Sequence, residues 1–269
     1  MKIAISNHFY AGTELSVDKL KTIKSLGFEY IEFWTMPPHI NLNDEKNIDE
    51  SLRLVSNSGL IINSYHAPIF KLRDDASSRE ISYITEIDEK ERLRSVDLIC
   101  RSIEVMSKSG SNLIVLHGDM KDKKRLKETK ESLKKSLKEI CERAKKHNTL
   151  VALENTEREL PVAELKRIVD ELSIENLGLC IDVGHANVFE NPVEAIRTAG
   201  NYLLNIHASD NDGISDSHLH PGSGNVEWNQ IAETLSQMNY QGSFTIEVKS
   251  ANGIEGISLS DIKRLLKMV

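Results

Sequence analysis

Short runs of apolar and β-branched residues alternate along the chain with longer stretches whose apolar positions recur at helical spacing. The short runs are KIAISNH from residue 2, YIEFW from 30, LIINSYHAP from 60, LIVLHGD from 113, LVALENT from 150, LGLCIDVGH from 177, LLNIHASD from 203 and SFTIEVKS from 243. They are nearly continuous in apolar character, as strands of a parallel sheet covered on both faces must be. The helical pattern is clearest at 124–147, where Leu126, Leu133, Leu137, Ile140 and Ala144 recur at spacings of seven, four, three and four, with Lys and Glu on the remaining face. Gly27, Gly59 and Gly110 each follow such a stretch and precede a strand, the place of a helix C-cap. Strand then helix, eight times, predicts an α/β fold, a (β/α)8 TIM barrel. No Pro/Ser/Gly-rich linker divides the chain, so residues 1–269 are expected to be a single domain.

Two segments stand outside this rhythm. The connection at about 67–87 is too long for an idle βα loop and is expected to be either a lid or a solvated excursion. The basic run KDKKR at 121–125 is either a phosphate site or a solvated helix start.

Composition narrows the class. With 39% hydrophobic and 28% charged residues the chain is an ordinary globular one, and no apolar run approaches a membrane span. The opening MKIAIS enters a strand directly, without the apolar segment and cleavage site of a secretory signal, so a cytoplasmic protein is expected. Cys100, Cys141 and Cys180 are widely spaced in apolar or helical contexts and read as reduced packing residues. A net charge of -7 argues against a partner bound through a phosphate backbone.

The strand endings carry the chemistry. In a barrel of this kind they converge on the C-terminal mouth, where the active site lies. Here they are Asn7 and His8, Glu32, His66, His117, Glu154, Asp182 with His185, His207, and Glu247. A lone His or Glu after a strand is usually a solvated loop residue. Six consecutive strands, from His66 to Glu247, ending in metal-ligand types point instead to a bound cation. The loop DSHLHPGSG, from Asp216 to Gly224, adds an acid and two histidines beside two glycines that free the backbone.

The ordered set YHAP, LHGD, LENT, IDVGH, IHASDND, DSHLHPGSG and IEVK resembles the xylose isomerase-like TIM barrel superfamily, which includes endonuclease IV and a sugar isomerase and epimerase branch. In the sugar branch the resemblance implies one divalent ion, Mn²⁺, Mg²⁺, Co²⁺ or Zn²⁺, held by Glu154, Asp182, His207 and Glu247. Endonuclease IV builds a trinuclear zinc site, and its further ligands match His66, His117, His185, Asp216 and His218, implying a second or third ion. The flanking words follow the sugar branch: DVGH, SDND and EVK stand where the endonuclease has DTCH, NDSK and ETP. Two positions depart from the ketose epimerases, Gly213 in place of an arginine and Leu160 in place of a glutamate, which argues against a free ketohexose.

The resemblance therefore implies a metal-dependent isomerase or epimerase of a sugar, sugar phosphate or small hydroxy-carbonyl compound, moving a proton through a metal-stabilised enediolate. Glu154 and Glu247 are its expected acid/base pair. His185 is expected to reach a substrate oxygen or a second metal, its alternative being a helix-start histidine in GHAN. His66 and Trp34 are further substrate contacts, and for Trp34 a packing role weighs equally. Asn7, His8, Glu32 and Lys249 are placed toward the mouth with no chemistry assigned. His220 is read as following its loop, and His39 and His147 as surface residues. The alternatives are an endonuclease IV-like phosphodiesterase acting on abasic DNA, for which no basic face beyond Lys121–Arg125 is visible, and a barrel that binds metal and ligand without turnover.

Overall fold

A parallel sheet needs a crossover between successive strands, and the alternation of short runs and amphipathic stretches supplies one each time. The structure, a computed structural model, describes residues 1–71, 80–249, 254 and 257–268. All eight expected strands form: β1 (Lys2–Ser6), β2 (Tyr30–Trp34), β3 (Ile61–His66), β4 (Leu113–His117), β5 (Leu150–Glu154), β6 (Leu177–Asp182), β7 (Leu203–Ala208) and β8 (Ser243–Ile246). They pair in chain order, all parallel, and β8 returns to β1 to close a (β/α)8 barrel.

The helices among the described residues are α1 (Val17–Ser25), α2 (Glu45–Ser58), α3 (Glu89–Ser107), α4 (Leu126–Lys145), α5 (Val162–Leu172), α6 (Val183–Phe189), α7 (Pro192–Ala199), α8 (Trp228–Gln237) and α9 (Leu259–Leu265). Ser16, Asp44, Asp88, Asn191 and Ser258 cap five of them, each side chain accepting a first-turn N–H. The stripe expected at 124–147 is α4, with Leu133, Leu137, Ile140 and Ala144 fully buried against the barrel. Gly27, Gly59 and Gly110 adopt positive φ just past α1, α2 and α3, as expected of C-caps. One difference from a strict alternation lies after β6, which is followed by two helices. Asn191 and Pro192 start α7 afresh, because proline at the first helical position cannot continue the preceding helix.

Strand alternation sorts the interior into layers. Position 66 on β3, 117 on β4, 154 on β5, 182 on β6 and 207 on β7 lie at the mouth, with residue 247 directly after β8. Two residues earlier, Ser64, Val115, Ala152, Cys180, Asn205 and Thr245 form a fully buried layer beneath, apolar on β4–β6 and polar on β3, β7 and β8.

Several smaller expectations are decided here. The three cysteines are free and buried. The basic run is a helix start in which three of the charges are paired locally: Lys121 with Glu86, Lys123 with Glu157 and Glu159, and Arg125 with Glu128. His39 is a correction, since it is buried rather than on the surface, its ring nitrogen 2.9 Å from the Tyr10 carbonyl. That partner arrives from the turn after β1, across the barrel rim, and no local pattern announces it. His147 and His220 are half-buried. Of the expected lid, residues 72–79 lie outside the described residues; its flanks pair through an antiparallel bridge between Phe70 and Ile81. Among the described residues no helix is long and apolar enough to cross a membrane.

Candidate active site

Glu154, Asp182, His207 and Glu247 come from β5, β6, β7 and the residue after β8, so they line one arc of the mouth with the two glutamates at its ends. One ligand atom from each lies within 4.8 Å of all the others. His207 Nδ1 is 2.9 Å from Glu247 Oε2 and 3.4 Å from Glu154 Oε2. All four side chains are buried, yet Glu154 Oε2, Asp182 Oδ2 and His207 Nδ1 have no aligned hydrogen-bond partner. Buried polar atoms left in this way are costly unless something else satisfies them. Three oxygen donors and one imidazole nitrogen converging on one point fit a divalent cation.

Local structure explains why these atoms are left over. Asp182 is the N-cap of α6: its Oδ1 accepts the His185 N–H at 2.6 Å, which turns Oδ2 into the mouth. Asn155 straps the same residue from β5's loop, its Oδ1 accepting Asp182 N–H at 2.7 Å and its Nδ2 donating to the Asp182 carbonyl at 3.1 Å.

The charges are mutually dependent. Burial raises the Glu154 carboxyl, but His207 and His117 outweigh it and hold the group well below the usual carboxylate range. Glu247 is likewise held well below despite burial, by His207 and His8. Burial, with Glu154, Asp216 and Glu247 nearby, pushes Asp182 up to about 6 against the pull of His185. Burial lowers His207, yet Cys180, Glu32, Glu154 and Glu247 hold it well above the ordinary histidine range. A cation would take over the countercharge that His207 now provides and displace its proton.

The remaining sequence-expected residues also gather here. His185, Asp216 and His218 form a second group, with Asp216 Oδ2 2.7 Å from His218 Nε2 and 3.6 Å from His185 Nε2. His66 joins Glu154 and His207 in a third. The Nε2 atoms of His66 and His117 are each 3.5 Å from Glu154 Oε2. His185 is at once the helix-start histidine of α6 and a residue of the mouth. Three of these rings are oriented by main-chain carbonyls: His66 Nδ1 donates to Ala67 O at 2.9 Å, His185 Nδ1 to Asn155 O at 3.0 Å and His218 Nδ1 to Glu247 O at 3.0 Å. A carbonyl only accepts, so each Nδ1 carries the proton and each Nε2 presents a lone pair inward when the ring is neutral. His117 turns its Nδ1 to Asp119 instead, at 3.2 Å.

His8 and Glu32, without a role from the sequence alone, acquire neighbours here. His8 stacks flat on Trp34, centroids 4.0 Å apart, and its Nδ1 is 3.0 Å from Glu247 Oε1. The Trp34 indole N–H is buried without a partner. Glu32 lies beneath His207. Their strand-end positions were the available signal, but which neighbour each would meet was not in it. Lys249 sits at the rim, its Nζ donating to Asp216 O. Of the two departures from the ketose epimerases, Leu160 is buried core beside Gly118, and Gly213 has φ +77° in the loop carrying Asp216.

That loop hangs on Asp210. Its Oδ1 accepts the Asn211 and Val226 N–H groups at 2.9 and 3.1 Å, and its Oδ2 accepts Gly222 N–H and Trp228 Nε1–H, both at 2.8 Å. Gly222 turns with φ +92°, and a Cβ on Gly224 would overlap the Asn211 carbonyl oxygen. In Asp210→Asn an amide donor would face two of these four donors. A destabilisation of about 2–4 kcal/mol is expected, lowering Tm by several degrees. A melting curve unchanged to within about a degree would show that the loop does not depend on this carboxyl.

Residues 20–268 match the sequence model of the xylose isomerase-like TIM barrel family. The uncharacterized protein MJ1311 of Methanocaldococcus jannaschii is 31% identical over 175 residues, 61% of this chain and 60% of that protein, so the match spans less than two thirds of that relative. L-ribulose-5-phosphate 3-epimerase UlaE of Shigella flexneri is 24% identical over 243 residues, 88% of this chain and 83% of the enzyme. Among solved structures, a D-tagatose 3-epimerase-like protein superposes with a TM-score of 0.83 at 25% identity, covering 100% of this chain and 98% of the other.

Proposed function

The chain belongs to the xylose isomerase-like TIM barrel family, and from that premise we propose that it is a divalent-metal-dependent epimerase or isomerase of a sugar, sugar phosphate or small hydroxy-carbonyl compound. The observation that carries the reading is the buried cluster Glu154, Asp182, His207 and Glu247, whose unpartnered donor atoms converge. The likeness to sugar epimerases supports the choice of substrate class.

When bound there, a divalent ion such as Mn²⁺, Mg²⁺, Co²⁺ or Zn²⁺ supplies the positive charge that acidifies a hydrogen beside a carbonyl. The chain's own groups do the rest. Glu154 and Glu247, held ionised at the two ends of the arc, take the proton and return it, on the neighbouring carbon for isomerisation or on the opposite face for epimerisation. Trp34 offers its unpartnered indole N–H to a substrate oxygen, and His185 and His66 line the same mouth. With leucine and glycine at 160 and 213, the reading favours a substrate other than a free ketohexose.

The test is an exchange screen in heavy water. Protein loaded with Mn²⁺ or Co²⁺ is expected to place deuterium beside the carbonyl of at least one ketose, ketose phosphate or related hydroxy-ketone, followed by NMR. A metal-replete protein inert toward the whole panel would count against the reading.

Two of the further groups, His185 with Asp216 and His218, and His66 with Glu154 and His207, favour a second reading, a multinuclear phosphodiesterase acting on abasic DNA. The pairing of Lys121, Lys123 and Arg125 with acids argues against it, because a duplex is held by basic groups free to meet its phosphates. An abasic duplex belongs in the same screen: cleavage lost in His117→Ala would replace the epimerase reading.

A further inference from the structure

Five histidines of the mouth, His66, His117, His185, His207 and His218, each have one nitrogen turned toward the carboxyl groups and one held from behind. For His66, His185 and His218 the holder is a main-chain carbonyl, and for His117 it is Asp119. His207 is reversed, with Nδ1 facing inward and Nε2 held from below, and the residue below is Glu32. We propose that Glu32 is a positioning residue that fixes the proton of His207 on Nε2 and so reserves Nδ1 for the cation. The proposal rests on the metal-binding reading above.

Glu32 is fully buried in the layer beneath the mouth, where a carboxyl is costly unless its oxygens are satisfied. Its Oε2 accepts Ser64 Oγ–H at 2.9 Å and Asn205 Nδ2–H at 3.1 Å. Asn205 cannot turn its amide over without loss, because its Oδ1 already accepts Ile206 N–H at 3.0 Å and Thr245 Oγ–H at 3.2 Å. The orientation of the carboxyl, whose Oε2 His207 shares with these two donors, is therefore fixed by residues on β3, β7 and β8. His207 Nε2 hydrogen-bonds Glu32 Oε2 at 3.2 Å, with Oε1 3.1 Å away but off line. Carboxylate oxygens accept, so the imidazole must donate, and its Nε2 carries hydrogen. In the neutral ring the lone pair is then on Nδ1, 2.9 Å from Glu247 Oε2 and 3.4 Å from Glu154 Oε2. A carboxyl behind a ligating imidazole also makes that imidazole a stronger donor.

The geometry makes Glu32→Gln a sharp test. Ser64 and Asn205 both supply donors to the Oε2 position, so the glutamine oxygen is drawn there and its amide N–H₂ takes the place of Oε1. At that position, 3.1 Å from His207 Nε2, the amide N–H₂ opposes the Nε2–H, and the neutral oxygen left at Oε2 accepts it more weakly than the carboxylate did, so the ring form that protonates Nδ1, the ligand nitrogen, gains weight. Mn²⁺ and Co²⁺ affinities are measured by competition with a chelator, and the visible absorption of bound Co²⁺ reports its donor set. Glu32→Gln is expected to bind about 10–100-fold more weakly than wild type, with a changed Co²⁺ spectrum. Val115→Ala trims the same buried layer on β4 and removes none of the bonds to Glu32; it should keep the wild-type spectrum and an affinity within about threefold. If Glu32→Gln does not fold, Glu32→Asp retracts the carboxyl by one methylene and is read by the same two measurements. Wild-type affinity and spectrum in the Glu32 variant would overturn the assignment, as would equal losses in Val115→Ala, which would mark a packing effect. A wild-type protein that binds neither ion would overturn the metal site and this assignment with it. Tight metal binding with no sugar exchange would overturn the epimerase reading alone.

Discussion

Asp182→Ala, purified without chelator, is expected to lose most of the divalent metal carried by the wild-type protein, as counted by elemental analysis per chain. The expectation follows from the way the residue divides its two oxygens. Oδ1 caps α6 through the His185 N–H, and Oδ2 is buried with no partner beside Glu154, His207 and Glu247. Alanine removes both functions at once. Losing the cap costs about 1 kcal/mol, so the variant should fold. Asp182→Asn separates the two effects, because an amide oxygen can still cap the helix while the second position becomes a donor pointing at the cluster. Reduced metal in both variants, with the melting temperature restored in Asp182→Asn, is the expected pattern. Equal metal content in Asp182→Ala and wild type would remove the site.

Glu247→Gln tests the proton. The side chain keeps its shape and one oxygen but loses the basic carboxylate, so turnover of the substrate found by exchange should fall by about 10²–10⁴-fold, the usual contribution of a general base. Deuterium incorporation from heavy water should fall with it. Because Glu247 Oε2 also belongs to the metal cluster, the measurement must be made at saturating Mn²⁺ or Co²⁺, with occupancy confirmed. The His8 contact to Oε1 at 3.0 Å is on the other side of the carboxyl, so an orientation effect can be followed separately through His8→Asn. A fully metal-loaded Glu247→Gln protein working at the wild-type rate would leave Glu247 a ligand only.

The sequence was most informative where chemistry and periodicity coincide. Strand period and strand end are local properties, so the inward positions of His66, His117, Glu154, Asp182 and His207 follow once the eight runs are recognised as strands. The same reasoning placed His8 and Glu32 at the mouth; His8 is there, whereas Glu32, two residues before the end of β2, lies in the layer beneath, and what either touches was not legible. Glu32 meets His207 across 175 positions of chain and Asn205 across 173, contacts that exist only because the barrel closes.

What the sequence by itself determined is therefore the list of groups delivered to one end of the barrel. Residues two apart on a strand face the same way, and a parallel strand followed by its crossover always delivers its last residue to the same rim. Only the tertiary structure decided how those groups divide their bonds. It set one oxygen of Asp182 on a helix and left the other for the cluster, turned Asp210 into the anchor of the Asp216–His218 loop, buried His39 against the Tyr10 carbonyl, and placed a carboxyl behind His207. The reason is geometric. A hydrogen bond requires its atoms within about 3 Å and in line, and where the partners come from different strands that condition is met by the closure and stagger of the barrel, which no stretch of a few residues contains.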